Sequence, residues 1–286
     1  MSIINFGSIN IDHVYQVAHF VQPGETLSTC SYSKGLGGKG LNQSVALQRA
    51  GATVIHAGCM GADDVWLKAQ LNELQLNLEA IHEVDAATGH ALIQVNDAGE
   101  NCILLYAGAN HALTEAMIDQ VLTREAEWVL LQNETNLVQS MIEKSHAAGK
   151  RIAFNPAPCH AGLAALPLHL IDTLVVNEIE AEQLTGLSDL DAALTALRAR
   201  VKNVVLTLGG DGVCYSGEAG EFSVAAHKVE VVDTTAAGDT FIGYYLAGLM
   251  TGLEVQESLR QATQAAAITV TRLGASSTIP FASELK

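Results

Sequence analysis

Residues 229–243 read VEVVDTTAAGDTFIG. The alternating apolar residues over 229–232 predict a strand, and Phe241, Tyr245 and Leu249 recur at helical spacing after it. Small residues that can turn tightly lie between the two. The helix is expected to begin at about 236–238, so its free backbone N–H groups and the positive end of its dipole point out of the turn. A start of that kind is an anion site, and Asp239 sets a carboxylate in the first turn beside the anion. A strand, an anion cradle and a carboxylate at its lip are what deprotonating a hydroxyl beside a phosphate requires. The same residues also describe an ordinary helix start with a first-turn acid favoured by the dipole. The rest of the chain has to decide between them.

Composition narrows the field. A chain of 286 residues holds one large domain or two smaller ones. Hydrophobic residues are 49% of it and aromatics only 5%, which suits an α/β protein with a buried parallel sheet. The net charge of −16 excludes a nucleic-acid partner, which needs clustered Lys and Arg. It would also repel a free polyphosphate, so a nucleotide site here must rely on local N–H groups, a few cations and Mg2+. The 5 cysteines are widely spaced with no C-x-x-C, as expected of reduced, mostly buried thiols in a cytoplasmic protein. The start, MSIINFGS, lacks the basic segment of a signal peptide, and no apolar run approaches the ~20 residues of a membrane helix. The histidines show no metal-ligand spacing.

Outward from the opening stretch, strands repeatedly end in polar or glycine-rich groups. Residues 3–6 form an apolar run ending at Gly7, and Ser8, Asn10 and Asp12 follow at its carboxyl end, where open α/β sheets place ligands. Half-polar alternation over 11–33, 76–84 and 90–106, the last around a turn at Asn96-Asp97-Ala98-Gly99, predicts a second small sheet. Its strands, inserted at about 11–35 and 76–107 of a single α/β domain, are expected to form a lid whose apolar face needs cover by a second subunit. Residues 35–40 read GLGGKG, followed by Leu41, Asn42 and Gln43 at a helix start. The literal G-x-G-x-x-G does not follow the first strand, so a dehydrogenase reading fails, and the glycine after Lys39 excludes a Walker A loop. What remains is a backbone that can approach a ligand closely at Gly37 and Gly38. Asn42, a donor and an acceptor, suits the vicinal hydroxyls of a small polyol.

From residue 107 onward, helices and strands alternate. Strands at 128–131, 152–154, 173–176 and 204–208 lead into Gln132-Asn133-Glu134, Asn155-Pro156-Ala157-Pro158, Asn177-Glu178-Ile179-Glu180 and Gly209-Gly210-Asp211-Gly212. A helix over 255–272 ends in a loop of small residues and hydroxyls, 273–278. With Asp233 and the carbonyls near Thr235, that loop is a candidate monovalent-cation site, because hard cations take oxygen ligands; a satisfied turn fits the same residues.

In order, GSINID from Gly7, PGET from Pro23, GGKG-x-N-Q from Gly37, AGAN from Ala107, NPAP from Asn155, N-x-x-E from Asn177, TLG-x-x-G from Thr207 and DTTAAGDTF from Asp233 resemble the ribokinase branch of the PfkB carbohydrate-kinase family. The resemblance covers essentially the whole chain. It implies a ribokinase-like three-layer α/β/α body with a mostly parallel central sheet and a small β-sheet lid. It also implies an ATP-dependent kinase for the primary 5-hydroxyl of D-ribose. Asp239 then corresponds to the general base, and Ala236, Ala237 and Gly238 to the anion hole. Asn10, Asp12, Gly38, Lys39, Asn42 and Glu134 correspond to the sugar contacts. Asn177, Thr207, Gly209, Gly212, Ala237, Gly238 and Thr263 fall at nucleotide positions, and Glu180 at the Mg2+ position. Asp233, Thr235, Thr269, Arg272, Gly274 and Thr278 fall where related kinases hold K+. A homodimer through the lid is expected separately, from the lid face that needs cover.

Two departures stand out. Ala236 replaces a glycine common in the family, and Thr263 stands near where a histidine often borders the adenine. Deoxyribose, fructose and nucleosides remain open as acceptors. A sugar phosphate is disfavoured by the two carboxylates of the sugar set, Asp12 and Glu134, with no basic cluster among these residues. A non-catalytic sensor on the same scaffold would be expected to lose the base or the metal carboxylate, and both Asp239 and Glu180 are present.

Overall fold

A computed structural model describes residues 1–285. The chain begins with β1 (Ser2–Phe6), β2 (Asn10–Gln16), β3 (Ser31–Gly37) and α1 (Lys39–Arg49). Next come β4 (Thr53–Gly61), α2 (Val65–Glu73), β5 (Asn77–Val84), β6 (Gly89–Val95) and β7 (Asn101–Tyr106). Helices and strands then alternate through α3 (Glu115–Leu122), β8 (Trp128–Gln132), α4 (Val138–Ala147) and β9 (Arg151–Asn155). They continue with β10 (Thr173–Asn177), α5 (Glu178–Thr185), α6 (Leu190–Arg198) and β11 (Asn203–Thr207). A hairpin of β12 (Val213–Gly217) and β13 (Gly220–Val224) precedes α7 (Ala237–Met250) and α8 (Val255–Thr269).

The continuous apolar runs became the middle of one sheet. Its order is β13-β12-β11-β10-β9-β8-β1-β4-β5, parallel from β11 to β5, with β12 and β13 antiparallel. Every residue of β8, WVLLQ, is buried, as both-face burial requires. One face of the sheet packs on α1, α2, α7 and α8, with Leu41, Val45, Leu67, Tyr245 and Leu259 in that core. The other face packs on α3 to α6, with Ile118, Met141, Leu184 and Leu197. This is the expected three-layer α/β/α body.

The order also fixes where a ligand can sit. From β1 the chain moves outward to β4 and β5, then returns to the other side of β1 as β8. Strand order therefore reverses between β1 and β8, and a crevice opens outside their carboxyl ends.

The second sheet, β3-β2-β6-β7, holds 4 strands. Register puts Asp12, Ala91 and Leu105 on one face and His13, Leu92 and Leu104 on the other. Residues 77–84 do not join it, as their alternation had suggested; they form β5, the edge of the large sheet beside β4. Alternation reports a half-exposed strand, and an edge strand of either sheet satisfies it. The glycine run at 35–40 is also not all loop, since its first residues complete β3.

Other local expectations fail for identifiable reasons. Residues 229–232 lie in no strand, and Val231 and Val232 are each 58% exposed. Instead of a ladder, the N–H groups of Val232 and Asp233 both donate to Val270 O, capping the end of α8. The β12–β13 hairpin, turned at Glu218-Ala219 between the paired Gly217 and Gly220, had no place in the sequence reading. Nor are the thiols mostly buried: Cys59 is, whereas Cys30 and Cys102 are exposed on or beside the small sheet. Among the described residues no helix is long and apolar enough to cross a membrane.

The two helices that carry the glycine motifs cross closely. A Cβ at Gly243 of α7 would lie 2.3 Å from Ala46 Cβ and 2.7 Å from Leu47 N of α1. Gly243→Ala should therefore cost about 1–3 kcal/mol by overpacking, read as a lowered Tm. Because the strain falls between the two site-bearing helices, kcat should fall in the same variant.

Candidate active site

The crevice outside β1 and β8 is a single open cleft of about 1330 Å³. Three helix N-termini reach it, those of α1, α7 and α5. The first begins at Gly38, whose φ of 94° is a backbone that favours glycine. The N–H of Lys39 donates to Glu134 Oε2 at 2.9 Å, and the Ser8 hydroxyl donates to the same oxygen at 2.5 Å. Glu134, just beyond β8, thus caps α1 with a charge that the dipole favours. Burial nevertheless raises its pKa, against the pull of Lys39 and Ser8.

The second N-terminus is that of α7. Ala236 caps it with φ 61°, in the left-handed region, which costs a residue with a Cβ roughly 1–2 kcal/mol. The N–H of Ala237 donates to Thr234 O at 3.2 Å. The N–H groups of Gly238 and Asp239 have no acceptor among the described residues, and both residues line the cleft. They are the available anion donors. Asp239 is 8% exposed. Its Oδ2 accepts from Asn42 Nδ2 at 3.0 Å and its Oδ1 from Gln43 Nε2 at 2.9 Å.

β2 supplies Asn10 and Asp12, two of the residues expected to hold a polyol. Asp12 faces the cleft, and a Cβ on Gly37 of neighbouring β3 would lie 2.1 Å from its carboxylate. The bare glycine is what gives that carboxylate its room. Burial, and then the charge of Glu134, push the Asp12 pKa up to about 6. Asn10 Oδ1 accepts from Asn110 Nδ2 at 2.7 Å, so the AGAN segment fixes its orientation. Ala91, Ile93, Ile103 and Leu105 give the small sheet an apolar surface over these polar groups. Sequence reasoning missed that surface, because only strand register shows which face looks inward.

At the other end, Asn177 and Glu180 form a capping box for α5: Asn177 Oδ1 accepts from Glu180 N at 2.8 Å and Glu180 Oε2 from Asn177 N at 2.9 Å. Burial raises the Glu180 pKa. Thr207 lines the cleft, whereas Gly209 and Gly212 sit beside it in the turn after β11. A Cβ at Gly212 would lie 2.1 Å from Val224 O, so that glycine serves the approach of β13. Thr263 is buried in α8 with its hydroxyl donating to Arg260 O, and it does not reach the cleft. Val231, Val232 and Leu273 line the cleft instead.

The proposed ion residues gather only in part. Asp233 Oδ1 accepts from Thr235 N at 2.9 Å and Thr235 Oγ1 at 2.6 Å, and Asp233 Oδ2 from Gly274 N at 3.0 Å. That carboxylate and the surrounding carbonyls are the hard oxygens a monovalent cation takes. Thr269 turns its hydroxyl to Thr240 Oγ1 and Ala265 O, inside the helix packing. Arg272 reaches Thr278 O and Glu284, and the Thr278 hydroxyl donates to Ala275 O. For a divalent ion, no group of three His, Cys, Asp or Glu occurs among the described residues. The single Glu180 fits Mg2+ held mainly by water and substrate phosphates.

Electrostatically, one ammonium stands among acids. Burial lowers the pKa of Lys39, but the charges of Asp239, Glu134 and Glu180 outweigh it and hold the ammonium charged.

The chain and its fold are matched by known proteins. The family model described as "pfkB family carbohydrate kinase" fits residues 2–282. The chain is 37% identical over 291 residues to a ribokinase of Haemophilus influenzae, covering 97% of this chain and 95% of that one. The solved ribokinase of Thermotoga maritima superposes with a TM-score of 0.88 at 33% identity, covering 100% of this chain and 98% of that one. An Arabidopsis thaliana ribokinase complexed with ribose and ATP superposes with a TM-score of 0.86 at 26% identity, covering 97% and 95%. With the match running from the first strand to the last turn, this chain belongs to the pfkB family of carbohydrate kinases.

Proposed function

We propose that this protein transfers the γ-phosphoryl group of ATP to the primary 5-hydroxyl of D-ribose, giving ribose 5-phosphate and ADP. The observation that carries the reading is Asp239. It is a buried carboxylate at the N-terminus of α7, beside unpaired N–H groups, in one cleft with Asn10, Asp12 and Asn42. The ribokinases among its relatives support ribose as acceptor.

Phosphoryl transfer asks mainly for positioning and charge stabilisation. Asp12 and Asn42 hold the sugar hydroxyls, so attack becomes effectively intramolecular. The sugar O5 forms a bond to Pγ as the bond from Pγ to the bridging oxygen of ADP breaks. The proton of O5–H passes to Asp239. The N–H groups of Gly238 and Asp239, with Lys39, stabilise the charge on the migrating group.

The cleft is lined by six carboxylates, Asp12, Glu73, Glu134, Glu180, Asp233 and Asp239, against Lys34, Lys39 and Arg49, so polyphosphate requires added cations. Mg2+ near Asn177 and Glu180 would neutralise phosphate charge. K+ at Asp233, Thr235 and the 274–278 loop would stiffen the segment ahead of α7. The small sheet acts as a lid that excludes water, the competing acceptor. Its outer face exposes Tyr32, Leu92, Leu104 and Tyr106, and a second copy of the chain covers it. Use of ATP fits a cytoplasmic location.

Turnover of Asp239→Asn should fall by about 10²–10⁴-fold, with sugar binding retained in calorimetry; near-normal turnover would remove Asp239 as the base. An assay of ADP release across pentoses, hexoses and nucleosides, with and without K+, tests the acceptor and the ion. No sugar-dependent ADP release from any of them would remove the kinase reading.

Asp12 predicts a pH signature. Its folded pKa of about 6 lies above the ordinary 3.8, so its stabilising contribution is complete below the latter and lost as pH rises through the former. Asp12→Asn should therefore stabilise the sugar-free protein at neutral pH by something on the order of 1–3 kcal/mol. That gain should fade below about pH 4, and the variant's Tm should no longer respond to ribose. In the parent, KM for sugar should rise as pH falls below about 6 and the carboxylate protonates.

A further inference from the structure

Gln43 is fully buried, at 0% exposure, and lies outside the cleft lining. Its amide is nevertheless one of two donors to the Asp239 carboxylate. One Nε2 hydrogen goes to Asp239 Oδ1 at 2.9 Å and the other to Asn155 Oδ1 at 3.3 Å. Its Oε1 accepts from Gln132 Nε2 at 2.7 Å. Gln132 sends its second hydrogen to Asn5 Oδ1 at 2.9 Å. Asn5 in turn donates to Gly40 O and Ser44 Oγ, both at 2.8 Å. The chain ends on Ser44 and His56, 2.8 Å apart. Burial pushes the His56 pKa down to about 4, so this imidazole is neutral near pH 7.

The chain of amides allows only one orientation of Gln43. Flipping it would set Oε1 against the oxygens of Asp239 and Asn155, and Nε2 against Gln132 Nε2. Gln132 and Asn5 sit on β8 and β1, the two strands that flank the switch point. The orientation is therefore anchored in two adjacent interior strands of the sheet. Asn42 alone would hold one oxygen and leave the carboxylate free to turn about its Cβ–Cγ bond. With both oxygens held, its plane is fixed and its remaining lone pairs face the cleft.

The geometry points to Gln43 as a positioning residue for phosphoryl transfer: it sets the plane of the Asp239 carboxylate and itself touches no substrate. This rests on Asp239 being the base. A general base must lie within about 2.6–3.2 Å of its proton, and a misplacement of about 1 Å costs on the order of 10²-fold. Asp239 also feels Lys39 of α1, Glu134 beyond β8 and Glu180 of α5. Those groups are unchanged in a Gln43 variant, so their effects cancel in the comparison with the parent.

The test is steady-state kinetics of Gln43→Leu, Gln43→Glu, Asp239→Asn and the Gln43→Leu/Asp239→Asn pair, with thermal melts, from about pH 5 to 9. Gln43→Leu should lower kcat by about 10–100-fold, with KM for the sugar within about 3-fold of the parent. The acid limb of its kcat profile should move up by about one unit, because the carboxylate loses a donor to its charged form. Gln43→Glu, nearly isosteric, should move that limb further, since two adjacent carboxyls share a proton. In the Asp239→Asn background, Gln43→Leu should change kcat by less than about 3-fold, since the carboxylate it orients is gone.

A folded Gln43→Leu or Gln43→Glu with the parental kcat and acid limb overturns the inference. So does a rise in KM at constant kcat. If Gln43→Leu does not fold, the isosteric Glu variant decides. Should Asp239→Asn retain activity, the base assignment fails and this inference falls with it; an inactive Asp239→Asn beside a normal Gln43→Leu removes the Gln43 inference alone.

Discussion

The close crossing of α1 and α7 is the constraint on which the site depends. Gly243 lets α7 approach Ala46 nearly backbone to side chain. Both helices start at the carboxyl edge of the sheet, so the crossing brings two N-termini to one crevice. Each N-terminus stabilises negative charge, yet the two are used differently. That of α1 is capped internally by Glu134. That of α7 keeps two N–H groups without internal acceptors. The side chains of Asn42 and Gln43 then cross from the first helix to the Asp239 carboxylate on the second. Packing and catalytic geometry are one arrangement here.

The fold holds this arrangement against its own electrostatics. Burial raises the pKa of Asp12, Glu134 and Glu180 together, with Lys39 as the ammonium among them. Each acid is kept in a place that disfavours its charge, which is the usual condition of a functional site. Under the proposed function, sugar hydroxyls and cations would supply what the unliganded cleft lacks, which would couple ligand binding to stability. Ala236 adds a local cost, since it takes a left-handed backbone that a glycine would adopt without strain. That conformation turns the chain sharply enough to aim the N–H groups of α7 at the cleft.

Beneath the site, polarity extends into the core. Asn5, Gln132, Gln43, Ser44 and His56 are buried in the layer between the sheet and α1. Apolar residues there would pack as well and would avoid the risk of unmatched donors. A network of amides has direction, however, even with Gln132 Oε1 and His56 Nε2 left unpaired, and a hydrophobic core has none. The direction is spent on the one carboxylate that must not turn.

The sequence by itself determined the layered α/β class and the strand ends at which the candidate residues stand. Continuous apolar runs such as 128–131 can be buried only on both faces, and polar groups at their ends can emerge only at one edge of a parallel sheet. The glycine motifs and Asp239 were legible because backbone conformation and helix-start chemistry are local. Tertiary structure alone decided which sheet took 77–84, because alternation records exposure and not the neighbouring strand. It left 229–232 without a strand partner and turned Thr263 and Thr269 into helix packing, away from the positions the resemblance implied. It also showed Gln43 to be a donor to Asp239. These are long-range matters: Gln43 and Asp239 stand 196 residues apart, and nothing in the chemistry of either names the other until two helices cross.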